Sequence, residues 1–203
     1  MQTFFVLMFA YGCIKSTDEM VIQKIRKNVF VKSLLNKTSI LVKEMKITIL
    51  CVGKIKERFF KEGIEEYKKR LSKYCKLEIV EVADEKTSDH ASEVEEQKIK
   101  EKEAARLEKY IKKEAYVIVL AIDGKMLDSV ELSKKIDQLG INGTSHIIFI
   151  IGGSLGLDNA IIRQADYKLS FSKMTFPHQM MRMILMEQIY RSYRILNNEP
   201  YHK

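Results

Sequence analysis

The sequence predicts an α/β fold, a mostly parallel sheet flanked by helices, over residues 45–203. Three observations carry that expectation. The runs Tyr116–Ala121 and Ile147–Ile151 hold no charged or amide residue, as expected of strands covered on both faces. Amphipathic helical stretches alternate with strand-like runs, the order of a layered α/β domain. The second apolar run passes straight into Gly152-Gly153-Ser154-Leu155-Gly156, where an open parallel sheet places its ligands.

In chain order, Lys46–Val52 reads as a strand closing at Gly53. Phe60, Ile64, Tyr67, Leu71 and Tyr74 recur every three or four residues and predict an amphipathic helix. Leu77–Val82 reads as a strand, followed by a polar loop from Ala83 to Ser92. Glu93 to Lys113 is a charged surface helix anchored by Val94, Ile99, Leu107 and Ile111. Its acids and bases are interspersed, which marks a solvated face rather than an RNA-contacting one. After Tyr116–Ala121 the run Asp123-Gly124-Lys125 predicts a turn, then a helix follows over Val130–Leu139. Beyond Ile147–Ile151 come a helix near Asp158–Gln164, a short strand Tyr167–Phe171 and a long helix His178–Leu196. The last helix carries a broad apolar face of Met181, Ile184, Leu185, Ile189, Tyr193 and Leu196, read as core or subunit interface.

Residues 1–44 read differently. Phe4–Cys13 has the apolar look of a leader, but no positive charge precedes it. The expectation is that Met45 is the true start and that 1–44 is upstream sequence outside the fold; a targeting or regulatory extension is the rival. The formal net charge of +8 favours a polyanionic partner. Cys13, Cys51 and Cys75 form no CxxC pair and, with four scattered histidines, no zinc pattern. Cys51 and Cys75 read as reduced, buried thiols of a cytoplasmic protein that needs no metal and spans no membrane.

Two chemistries compete for the glycine loop. Gly152 and Gly153, lacking Cβ, allow a cofactor to approach the end of a buried strand. The spacing GGxxG is not the dinucleotide fingerprint. The same residues satisfy GxSxG, with Ser154 as nucleophile and Asp166 and His178 or His202 following in hydrolase order. Too few residues follow Ser154 to build the rest of that fold.

The run Leu169-Ser170-Phe171-Ser172-Lys173-Met174-Thr175-Phe176-Pro177-His178-Gln179-Met180-Met181-Arg182 carries a closer likeness. With Met45-Lys46-Ile47, Val52-Gly53-Lys54, Glu187-Gln188-Ile189-Tyr190-Arg191 and Tyr201-His202-Lys203, it resembles the RlmH family. These are the 23S rRNA pseudouridine N3-methyltransferases of the SPOUT superfamily. The likeness spans 45–203 and none of 1–44. It implies a C-terminal trefoil knot, a homodimer and S-adenosyl-L-methionine as methyl donor. By position it places cofactor contacts on Leu120, Gly152, Gly153 and the loop Phe171, Ser172, Lys173, Met174, Thr175 and Phe176. It implies 23S rRNA, in the large subunit or the whole ribosome, as substrate.

Removing the N3 proton of a pseudouridine calls for a base or a stabiliser of the developing anion. His178, Arg182, Tyr201 and His202 are the candidates. Arg182 would hold a phosphate or a carbonyl oxygen, and Tyr201-His202 would close over the target base. The bland readings are helix capping for His178 and a frayed terminus for the tail. A binding module that keeps the knot without catalysis is the other functional class.

Overall fold

The computed structural model describes residues 44–202 except Asp89, so the expected extension 1–44 lies, but for Glu44, outside the described residues. Ten elements alternate along the described residues: β1 (Lys46–Val52), α1 (Arg58–Leu71), β2 (Lys76–Val82), α2 (Glu93–Glu108), β3 (Tyr116–Met126), α3 (Ser129–Ile141), β4 (His146–Ile151), α4 (Asn159–Gln164), β5 (Tyr167–Ser170) and α5 (His178–Leu196). The five strands form one sheet in the order β2-β1-β4-β3-β5, every neighbouring pair parallel. The C-terminal ends of the strands therefore share one edge.

Period-two alternation sorts the strand side chains into two cores. Ile47, Ile49 and Cys51 of β1, Ile118 of β3, and Ile147, Phe149 and Ile151 of β4 face α1, α3 and α5. Leu50, Val52, Val117, Val119, Ile148 and Ile150 face α2 and α4 through Ala104, Leu107 and Ile161. Phe149 is wholly buried, and truncating such a ring to Ala costs about 3–5 kcal/mol. Capping boxes start α2 at Ser92 with Glu95, and α3 at Asp128 with Glu131. Asp158 caps α4 by accepting from the Ala160 N–H.

Three local expectations give way. The charged helix stops at Glu108, where Tyr110 and Ile111 turn back onto the carbonyls of Leu107 and Glu108. Its expected anchor Val94 is 65% exposed; the expected anchor Leu107 is buried, and Glu103 and Ala104 are buried with it. The turn expected at Asp123-Gly124-Lys125 belongs to β3, which runs on to Met126 with a register shift between Leu120 and Lys125. Gly124 permits that path: a Cβ there would stand 2.8 Å from the carbonyl carbon of Leu169.

Cys51 and Cys75 are free and buried, and burial pushes both thiols up to about 12. Cys13 lies outside the described residues.

Candidate active site

At the C-terminal edge of the sheet the ends of β3, β4 and β5 and the start of α5 enclose a cleft of about 500 Å³. Leu120, Ala121 and Ile122 form one wall, Ile151, Gly152, Gly153, Ser154 and Gly156 the floor. Phe171, Ser172, Met174, Thr175 and Phe176 arch across, with Pro177, His178 and Met181 closing the end. Of the expected cofactor residues only Lys173 does not line the cleft; its side chain is exposed beside Met174. Sequence reasoning missed Ala121, Ile122, Ile151 and Met181, whose apolar character signalled only core.

The floor is built by close backbone approach. A Cβ on Gly152 would come within 2.8 Å of the Gly156 carbonyl carbon, so no side chain fits there. Gly156 takes φ +80° and donates its N–H to the Gly153 carbonyl, folding the loop back on itself. Beneath Gly153 lies the buried Glu103 carboxylate, which accepts the Glu85 N–H. Burial, first of all, holds that carboxyl above the usual carboxylate range. The arch braces itself: Ser170 donates its hydroxyl to the Ser172 carbonyl, and the Ser172 hydroxyl accepts from the Met174 N–H.

His178 is the first residue of α5, whose N-cap Pro177 offers no side-chain cap. Its Nε2 lies close over Gly53, where a Cβ would stand 3.5 Å away, and Asp84 flanks the same point at 3.7 Å. Gly53 has φ +81°, so conformation rather than space asks for glycine there. Burial pushes the imidazole below its ordinary pKa, the Arg182 charge adds to that, and Asp84 opposes it. The ring is therefore a neutral base at neutral pH. Nothing in the sequence pointed to Asp84, which lies in a polar loop.

Arg182 does not reach the cleft. It is wholly buried, donating from Nη1 to Glu81 Oε1 at 2.5 Å and from Nη2 to the carbonyls of Val52 (2.8 Å) and Gly53 (2.6 Å). The expectation that it holds a phosphate or a base carbonyl gives way to a structural role. A buried guanidinium with these three acceptors fastens α5 to the end of β1.

Tyr201 and His202 pack on the far half of α5. The Tyr201 hydroxyl donates to Glu187 Oε1 (3.2 Å), its ring meets Tyr190 edge-on, and His202 Nδ1 lies 3.4 Å from Arg191 Nη1. Arg194 donates to the Pro200 carbonyl and pairs with Glu199, so the tail is pinned rather than frayed. Nine to thirteen residues of α5 separate these partners from His178, about 14–20 Å along the axis. His178 and the tail are not brought together within one chain.

The serine-hydrolase alternative fails on geometry. Asp166 accepts from the Val117 N–H at the opening of β3, at the opposite edge of the parallel sheet from Ser154.

A parallel sheet with a glycine-floored cleft at its C-terminal edge, closed by an arch leading into the last helix, is the frame of an α/β enzyme that holds a small cofactor. The family model described as "Predicted SPOUT methyltransferase" matches residues 45–202. A "Ribosomal RNA large subunit methyltransferase H" from Bifidobacterium adolescentis is 63% identical over 159 residues, 78% of this chain and all of the relative. A protein of the same name from Clostridium kluyveri is 57% identical over the same coverage. The chain belongs to the SPOUT methyltransferases and, within them, to the RlmH family.

Proposed function

We propose that the chain transfers a methyl group from S-adenosyl-L-methionine to N3 of a pseudouridine in 23S rRNA, on the large subunit or the whole ribosome. In this reading it works as a cytoplasmic homodimer and uses no metal. The observation that carries the reading is the cleft at the sheet edge, whose dimensions and lining suit a nucleoside with an aliphatic tail.

The residues present fit the donor. The bare backbone at Gly152 would seat against it, Leu120 and Ile122 would cover a flat apolar face, and the arch from Phe171 to Phe176 would wrap it with backbone groups. When bound, S-adenosyl-L-methionine supplies an electrophilic methyl group. Transfer is then chiefly a matter of holding the acceptor in line. His178, neutral and lining the cleft, accepts the N3 proton as the nitrogen becomes nucleophilic. Arg182 serves as a positioning residue, because its bonds to the Val52 and Gly53 carbonyls set the first turns of α5 against Gly53. Tyr201 and His202 serve the cleft of the second subunit, since their own lies too far along α5.

Among the described residues no cluster of His, Cys, Asp and Glu could hold a metal ion, and no helix is long and apolar enough to cross a membrane. The test is incubation with methyl-labelled S-adenosyl-L-methionine and ribosomes from cells lacking this gene, followed by mass spectrometry of digested rRNA. Label on one pseudouridine of the large subunit is expected. Cofactor binding with no label on any RNA would overturn the reading in favour of a non-catalytic binding module.

A further inference from the structure

We propose that the segment between β1 and α1, through Lys54, Lys56 and the exposed ring of Phe59, is the RNA clamp beside the methyl-transfer cleft. The inference rests on the RNA-directed reading above and deepens it by assigning a surface.

The segment is held in place from below by groups remote in sequence. Gln179, in the first turn of α5, accepts from the Lys56 N–H at 2.8 Å and the Glu57 N–H at 3.5 Å through one carboxamide oxygen. Glu81 Oε1, which also takes Arg182, accepts from the Ile55 N–H at 3.2 Å. These anchors use the backbone and leave the side chains of Lys54 and Lys56 exposed. Neither lysine is in an ion pair among the described residues, while Arg58 is taken by Glu62 at 2.6 Å. Gln179 follows His178 directly, so the segment sits at the end of the cleft where the proton is taken. The Lys56 charge is among those acting on the His178 ring.

Phe59 is 60% exposed although it stands beside the buried Phe60, at a centroid distance of 4.2 Å. An apolar ring left in water three residues after Lys56 and five after Lys54, both exposed, is the arrangement that takes single-stranded nucleic acid, phosphate on the lysines and a base on the ring. Glu57 is the one acid within Lys54–Arg58, and its backbone is held by Gln179. The long charged helix α2 offers no such surface, since its bases alternate with acids. A methyl group delivered to one base requires the neighbouring nucleotides to be fixed, and this is a rigid, positive surface adjoining His178.

The experiment compares wild-type protein with Lys54→Ala/Lys56→Ala, Phe59→Ala and, as a control, Lys113→Ala at the opposite edge of the sheet. Ribosome binding is followed by sedimentation across a salt series, methyl transfer by label, and S-adenosyl-L-methionine binding by calorimetry. The double variant is expected to weaken ribosome binding and raise KM for ribosomes about ten-fold, with cofactor affinity unchanged. Its log–log salt dependence should be shallower by roughly 1.5, two phosphate contacts' worth. Phe59→Ala should weaken binding at least about five-fold with the salt slope unchanged, as a stacking loss does. Unchanged ribosome binding in both, or an equal loss in Lys113→Ala, would overturn the clamp. Absence of label with wild-type protein that still binds ribosomes through these residues would overturn the methylation reading and leave the clamp standing.

Discussion

Arg182 reaches from the middle of the first half of α5 to Glu81 at the end of β2, closing at 2.5 Å inside the protein while its other nitrogen holds the carbonyls of Val52 and Gly53. One side chain thus ties α5 to three groups at the ends of β1 and β2. Its Nε is buried without a partner among the described residues, a cost the other bonds must offset.

Arg182→Met should therefore act on stability first. It strands two buried carbonyls and leaves Glu81, whose side chain is 31% exposed, without its cation. Breaking a buried pair costs about 3–5 kcal/mol, and the partial exposure of Glu81 puts the loss near the lower figure. Urea denaturation at neutral pH measures it. A variant of wild-type stability with weakened RNA binding would instead restore the phosphate-binding role.

Gly152→Ala and Gly156→Ala separate space from conformation. The first drives a methyl group to 2.8 Å from backbone, so the loop must open and cofactor affinity should fall about ten-fold or more. The second meets nothing within 4 Å but must hold φ +80°, which costs about 1–2 kcal/mol of stability. Calorimetric titration with S-adenosyl-L-methionine, beside thermal unfolding, reads both. Equal affinity in wild type and Gly152→Ala would remove the cradle from the account.

Much of this was legible in the residues. β1 and α5 begin where their patterns begin and β4 one residue before its own, because each is strongly patterned and bounded by glycine or proline. The extension of β3 past Ala121 was not, since Asp123-Gly124-Lys125 carries turn chemistry and only the close pass of β5 draws it into the sheet. Arg182 was legible as important and misread as to why. Sequence spacing places it one turn from His178 but does not say that it points down onto β1 and β2. Asp84 and Gln179 could not be found, because their meaning lies in partners about ninety and over a hundred residues away.

His178 should set the acidic limb of activity. Its folded pKa lies below the ordinary value of about 6.5, so the neutral base persists at neutral pH and kcat/KM falls only as pH drops below that value. Asp84→Asn removes the carboxylate that favours the imidazolium and should move the limb further down. His178→Gln should lower kcat by about 100-fold or more and abolish the limb. The same depression bears on folding: stability is intact above the ordinary pKa and is lost as pH falls toward the folded one. His146, also held low by burial, adds to that loss. A pH profile unaltered in Asp84→Asn would show that the carboxylate does not act on the ring.

The tail supplies the test of which cleft it serves. Deleting residues 201–203 removes the Tyr201 ring from Tyr190 and its bond to Glu187, a loss at the margin of the core that Tyr201 packs against, so thermal unfolding is read beside turnover. Turnover should vanish while cofactor affinity stays within about two-fold, because no residue of the tail lines the cleft of its own chain. Mixing this variant with His178→Gln then decides between the two arrangements. If the tail works on the partner, random exchange puts half the chains in mixed dimers with one complete site each, and about a quarter of wild-type activity returns. If the tail works on its own chain, every site lacks either the histidine or the tail, and the mixture stays inactive. The 14–20 Å that separates His178 from the anchors of Tyr201 and His202 along α5 favours recovery.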